Sequence, residues 1–526
     1  MLSAIITLTL LCPVDHFTKI ISVPKDYAKI HKAIDAAEDG DLVLVAPGTY
    51  KEHIHYWGKA ITIRSTMGPE VTVIDGGDYY GCTVCFEIFE GPDSVIDGFT
   101  ITNGSGYEIE EIEYWYTYGG GIYCRGSSPT IINNIIIENH ADYGGGIYCE
   151  SGSPIVRNNK ILSNHGGEGG GICADYSNIK IFNNVISKNT SGWGTGIRCR
   201  FAPPWNPSHP QIAYNLIVNN KSSWGWGGGG IYVSDGPEPY VWNNIIAGNK
   251  AGYYGGAICC YIASCVLCCN TIYGNSATVA GGALYGSGAS KFAVADCILW
   301  HDNAPQAPEV AVDSWSSFKI SYSDVEGSSK GIWKNIEWGY GVIDEDPLFE
   351  DPENGDFHLT RTSPCINRSR TMYVPSDDMD GDVRPYMGIA DMGADEFVGW
   401  HPLEADAFSV PETGGIINFS LKADKGNCDY LIVGGVSGTA PGTPLPGNHA
   451  NLRVNWDWFS DLEMTLLDSR IFKNFFGHLD ALGHGGAQLN VPPMPSGSTG
   501  IDFYYAYCCI DPFDFVSNPV IVTVVD

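Results

Sequence analysis

Short apolar runs separated by glycine and asparagine recur through the first two-thirds of the chain. Glycine-rich starts lead into Ile122, Ile147, Ile172, Ile197, Ile231, Ile258 and Leu284. A second series is built on Asn134, Asn159, Asn184, Asn215, Asn244 and Asn270. Each is followed two residues later by an isoleucine, from Ile136 to Ile272, and preceded three residues earlier by an aliphatic, from Ile131 to Leu267. Five residues after each stands another asparagine: Asn139, Asn164, Asn189, Asn220, Asn249 and Asn275. The runs are short, β-branched and bounded by Gly, Asn and Pro, which predicts strands of three to five residues and no helical repeat.

The first interval is 25 residues, from Tyr118 to Tyr143. That is too short for a propeller blade, which takes about 40–45 residues. A parallel β-helix fits, with one repeat per coil and like residues stacked about 4.8 Å apart. Stacked isoleucines then fill a continuous core. Stacked asparagines bond to each other and to backbone at a bend, satisfying groups a turn would otherwise bury unpaired. The glycines allow positive φ at the tight corner before each Ile strand. Cys124, Cys149, Cys199 and Cys260 share the inward parity of the repeat isoleucines and predict a stack of buried thiols. A disulfide set is the alternative, disfavoured because stacked parallel strands hold the Cβ atoms too far apart.

These motifs resemble the right-handed parallel β-helix repeats of the pectin-lyase-like superfamily. "AKIHKAIDAAEDGDLVLVAPGTYKE" is similar to the opening segment of such proteins: a short helix over about residues 28–37 that caps the first coil, a turn, then a strand. "VIDGFTITNGSG" (Val95–Gly106) reads as a further rung, and residues 343–367 and 377–397 resemble the terminal segment of secreted bacterial members. The resemblance implies a right-handed parallel β-helix over residues 20–397. It implies little about activity, because this superfold hosts lyases, hydrolases, epimerases and adhesins.

After Phe397 the repeat stops. Strand-like runs separated by "GTAPGTPLPGN" and similar connections predict a β-sandwich over residues 402–526, with "FKNFFGHLDALGHGGAQL" as a loop or short helix. This part resembles a C-terminal module of planctomycete-type secreted proteins, which implies attachment, self-association or capping and no catalytic residues. Residues 1–19 hold a short apolar run that reads as an export signal without a basic start or a standard cleavage site. The run is too short to span a bilayer. Cys12 is not in a lipid-attachment context, and the expected location is secreted or cell-surface.

Composition narrows the partners. The formal charge of −31 leaves no basic face for nucleic acid. There are 17 cysteines, and the C-x-x-C in "CVLCC" (Cys265, Cys268, Cys269) is weak evidence by itself for metal or redox chemistry.

Candidate chemistry is sparse. Polygalacturonase motifs do not assemble: "GHG" falls at Gly483–Gly485 in the second domain, "DD" at Asp377–Asp378 in the terminal segment, and "NTD" is absent. The candidate bases Arg157, Lys160, Lys188, Arg198 and Arg200 read as solvated strand residues, remote in sequence from any acidic cluster. His140 and His165 occupy equivalent corner positions, read as exposed. Asp378, Asp380 and Asp382, in a D-x-D-G-D turn, offer hard oxygen ligands that could hold Ca²⁺, although the distal glutamate of an EF-hand is missing. Tyr118, Tyr143 and Trp193 precede glycine corners, with Glu168 within the same series, and Trp224, Trp226, Tyr253 and Tyr254 lie near the same place on later coils. An aligned row of rings could stack on sugars. "YEIEEIEYWYTY" (Tyr107–Tyr118) reads as a long loop leaving that edge. The expected function is an extracellular β-helix protein binding a polysaccharide or surface glycan in a structural or adhesive role. The alternative is a polysaccharide lyase or glycoside hydrolase.

Overall fold

The computed structural model describes residues 18–525 apart from 78–80, 112–113, 203–207, 223–224, 226, 329–334, 361–362, 370–373, 387–389, 399–401, 424–425, 439–442, 447–450, 453, 496, 511–512, 514 and 518. The expected export segment, Trp224 and Trp226 lie outside the described residues. The chain divides into two compact units: residues 16–379 with 383–397, and a second unit made chiefly of residues 398–526.

The first unit is a parallel β-helix. Thirteen strands, from Ile20–Val23 to Ile336–Trp338, form a first sheet. Eleven strands, from Gly48–Lys51 to Asp324–Val325, form a second, and ten, from Ile54–His55 to Val310–Val312, form a third. A shorter sheet of eight strands lies in sequence between the second and third. One coil shows the order: Thr130–Ile132, Ile135–Ile137, His140–Tyr143, Ile147–Glu150. The next coil repeats it in register, with Ile131 opposite Val156, Ile136 opposite Ile161 and Ile147 opposite Ile172.

Stacking makes the core. Ile136, Ile161, Ile186, Ile217, Ile246 and Ile272 are fully buried in one continuous cluster. The thiols of Cys124, Cys149, Cys199 and Cys260 are free and buried in the same cluster, as their parity predicts. Both asparagine series form ladders. Asn134 Nδ2 donates to Asn159 Oδ1 at 3.1 Å, and each later member donates to the next as far as Asn270. The parallel series runs from Asn139 to Asn275 and ends on Asp302 Oδ1 at 2.8 Å. Gly144 shows why the corner is glycine: its φ is +65° and a Cβ would sit 2.3 Å from the Ile147 carbonyl oxygen.

At the N-terminal end a helix over Ile30–Ala36 buries Ile30, Ala33 and Ile34 in the core, so the expected cap is present and slightly shorter than read. Among the described residues the last strand of the coils is Ile336–Trp338. Beyond it Phe349–Asp351 pairs antiparallel with Asp356–Leu359, and Phe349, Phe357, Cys365 and Met392 pack with Ile298 and Trp300. The coils therefore stop well before Phe397, and the terminal segment packs on them from outside. The stretch Tyr107–Tyr118 is a hairpin, not a loop: Tyr107–Glu111 pairs antiparallel with Tyr114–Tyr118. Its alternation of apolar and acidic residues is a strand pattern.

The second unit is an additional β domain. A four-stranded and a five-stranded sheet contribute side chains, among them Phe419, Leu489, Tyr430 and Val522, to one core. The stretch expected as a loop or short helix supplies strands instead, at Phe472–Lys473, Phe476–His478 and His484–Val491. The helix of this unit lies earlier, at Trp458–Thr465, opened by a capping box on Asp457 and Ser460. Among the described residues no helix is long and apolar enough to cross a membrane.

Candidate functional site: the outer face of the third sheet

Strands of the third sheet alternate. In Ile122–Arg125, Ile122 and Cys124 join the core, so Tyr123 and Arg125 point outward. Register carries this alternation from coil to coil. One outward row runs Cys85, Tyr123, Tyr148, Cys173, Arg198, Tyr232. The next runs Arg125, Glu150, Asp175, Arg200, Ser234.

The second row is a lattice of opposed charges. Arg125 Nε lies 3.2 Å from Glu150 Oε2. Arg200 Nε and Nη2 grip Asp175 at 3.0 and 2.6 Å, and Nη1 reaches Glu168 Oε2 at 3.0 Å. Tyr148 donates its hydroxyl to Asp175 at 3.0 Å, and Arg198 closes the group by pairing with the same Glu168 oxygen. Both guanidiniums sit against aromatic faces. Arg200 lies 4.8 Å from the Tyr143 ring centroid and 4.3 Å from that of Phe201, while Arg198 is 5.4 and 5.5 Å from Trp193 and Tyr232. Burial, the largest single effect, opposes the charge on Arg200, but Asp175 together with Cys173 and Tyr143 holds the group above its ordinary value. Arg198, buried and beside Arg200, is lowered to about 9 and is still a cation at neutral pH. Arg198 and Arg200 are thus not solvated strand residues. Coil stacking brings them onto carboxylates 25 to 32 residues earlier in the chain. Lys160 and Lys188 are exposed and Arg157 is half-buried.

Two corners flank this floor. On one side Tyr118, Tyr143, Glu168 and Trp193 stand in a single ladder. The rings are largely consumed in packing: Tyr118 is buried, stacked on Tyr143 at 4.9 Å and edge-on to Tyr148. Later coils depart from the expected offset. The residue opposite Tyr254 is Gly227, so the ladder runs through Gly227 and Tyr254 and passes by Tyr253. Extra residues between the ladder asparagine and the glycine corner shift the register. Tyr254 stacks on Tyr285 at 4.3 Å, and Tyr253 is exposed.

On the other side the corner residues after each strand carry positive φ: Phe89, Ser151, Tyr176, Phe201. Tyr176, half exposed, stacks on Phe201 at 5.5 Å and 24°. Phe89 is 86% exposed. Sequence reasoning passed over this rim because its residues share a corner position and not a residue type.

Of the remaining candidates, His140 and His165 are exposed register partners with stacked rings 5.0 Å apart. In the D-x-D-G-D turn Asp378 is buried and accepts from the Glu396 backbone N–H at 2.9 Å. Asp380 and Asp382 are half-buried.

A family model described as a right-handed β-helix region matches residues 54–200 and 97–266. The first unit is accordingly a right-handed parallel β-helix. Among solved structures, the chain is similar to pectate lyase Pel9A, at 13% identity over 72% of this chain and 96% of that one, with a TM-score of 0.45. It is also similar to a pectin methylesterase solved with a hexasaccharide, at 10% identity over 65% and 98%, with a TM-score of 0.27. Neither likeness bears on substrate or mechanism. No curated protein matches the chain.

Proposed function

We propose that this is an extracellular or cell-surface protein that binds an extended glycan along the outer face of the third sheet, without catalysing a reaction on it. The observation that carries this reading is the Tyr176–Phe201 ring pair standing beside a floor on which Arg200 joins Glu168 and Asp175. Stacked rings one coil apart make a continuous apolar ridge along which an extended sugar chain can lie, with Tyr176 its exposed member. Arg125 and Glu150, the more exposed members of the floor, can donate to and accept from hydroxyls. A non-catalytic role is favoured because Glu168 and Asp175 are both engaged by guanidiniums, which leaves neither free as an acid or base.

A lyase would need a base on this face, and the candidate there is Arg198, a cation already paired with Glu168. Its side chain is only 4% exposed, which argues against contact with a substrate.

Titration with a panel of acidic and neutral oligosaccharides, followed by tryptophan fluorescence, tests the proposal. Tyr176→Ala is expected to weaken binding by roughly 2- to 12-fold, equivalent to about 0.5–1.5 kcal/mol, with the fold unchanged. Failure of every member of the panel to bind would sink the reading. Release of unsaturated or reducing ends would move the protein to the enzyme class.

A further inference from the structure

We propose that Cys428 and Cys509 form an oxidation site in the second unit, at which a small-molecule disulfide converts the two thiols into an intrachain S–S bond. Both thiols are free in this structure. Their sulfurs lie 3.0 Å apart, although the residues are 81 positions apart in the chain. A disulfide bond measures ~2.05 Å, so a further approach of about 1 Å completes it.

Topology makes the pair. The strand Asp429–Gly435 runs antiparallel to Asp502–Ile510, with Asp429 opposite Ile510 and Tyr430 opposite Cys509. Cys428 directly precedes the first strand, so it meets Cys509 diagonally. Cys509 is fully buried in the core that both sheets share, and Cys428, half-buried, packs against that core. Alternation excludes Cys508, the next residue along. Its side chain points to the opposite face and packs with Val433 and Ala506. Burial pushes its thiol up to about 12, which leaves little thiolate there. Cys260 and Cys265, with sulfurs 3.2 Å apart, are a comparable pair, but both are buried inside the coils, out of reach of a dissolved oxidant.

The two members take different parts. Cys428 reaches solvent and takes the first step. Its thiolate attacks one sulfur of the small disulfide, forming a mixed disulfide and expelling one small thiolate. Cys509 then attacks the Cys428 sulfur, and the second small thiolate leaves. The two protein thiols give up two protons, which the two departing thiolates take up. The protein pair loses two electrons and the small disulfide gains them. The new bond closes a loop of 81 positions and so restricts the unfolded chain. It fastens the start of Asp429–Gly435 to Asp502–Ile510. The pairing rests on this geometry and is independent of the glycan reading.

The full-length chain is reduced with a phosphine, freed of reductant and incubated with oxidised glutathione. It is then denatured, alkylated and mapped by mass spectrometry of non-reduced peptides. A Cys428–Cys509 cross-link is expected, with Cys508 alkylated. Cys508→Ser should retain the cross-link and Cys509→Ser should lose it. The oxidised wild type should melt at least about 5 °C above the reduced chain in the transition of the second unit. The same comparison in Cys428→Ser subtracts the contribution of Cys82–Cys85, a disulfide that the phosphine also opens. Four results would each overturn the proposal: a cross-link through Cys508, a glutathione adduct that persists on Cys428, alkylation of both Cys428 and Cys509 after oxidation, or a melting shift as large in Cys428→Ser as in the wild type.

Discussion

Arg200 Nη2 lies 2.6 Å from Asp175 Oδ2, although the two residues are 25 positions apart. They are register partners on adjacent strands, so the contact exists only because one coil stacks on the next. Side-chain exposures of 12% and 4% make this a buried pair. Arg200→Met leaves Asp175 without its principal partner in low dielectric. The expected cost is about 3–5 kcal/mol, read from the midpoint of urea denaturation. The double variant Arg200→Met with Asp175→Leu should recover much of it.

The asparagine ladders carry stability in the same way. Asn184 Nδ2 donates to the carbonyls of Val156 and Phe182 and to Asn215, and its own oxygen accepts from Asn159. Asn184→Leu orphans several buried groups at about 1–3 kcal/mol each, so a loss of more than ~2 kcal/mol is expected in chemical denaturation. A loss below about 0.5 kcal/mol, the ceiling for a neutral surface change, would show that the ladder contributes little.

Stability should also depend on pH through Asp302 and Glu309. Asp302 closes the second ladder, and its backbone N–H donates to Glu309 Oε1 at 3.0 Å. Burial, the largest cause, raises Asp302 from 3.8 to about 7. Glu309 is raised well above its ordinary value by burial and by the neighbouring Asp302, and Glu326 adds further negative charge. The folded chain therefore holds protons that the unfolded chain releases. The stabilising contribution is complete below about pH 4 and is lost as pH rises through 7. Asp302→Asn keeps an acceptor for Asn275 and should flatten that slope in melting experiments between pH 4 and 8. An unchanged slope would place the proton elsewhere.

Core packing gives a sharper expectation. Ile186 is fully buried among its stacked equivalents. Ile186→Ala should cost about 2–5 kcal/mol by cavity formation. Differential scanning calorimetry would register this as a lower melting temperature for the β-helix transition.

The sequence by itself determined the repeat, its strand character and the inward face. A coil of nearly constant length places like residues at like heights, so Ile136, Asn134 and Cys124 could be assigned to core, ladder and thiol stack from spacing alone. The rest was decided by tertiary structure. The offset from asparagine to ring holds at Tyr143, Glu168 and Trp193 and fails at Gly227 and Tyr254, because a corner absorbs inserted residues without disturbing the strands on either side. The outward faces carry no periodic signal, since only the inward residues must be alike to stack. Hence Arg198 and Arg200 look isolated along the chain, yet both meet Glu168, which lies one coil away. The H-x-H at His53 and the C-x-x-C at Cys82 are likewise each too common to mean anything alone. They come onto neighbouring strands only because His55 is the register partner of Cys85. Local spacing fixes which way a side chain points, but which other side chain it meets depends on the number of residues each coil takes to return.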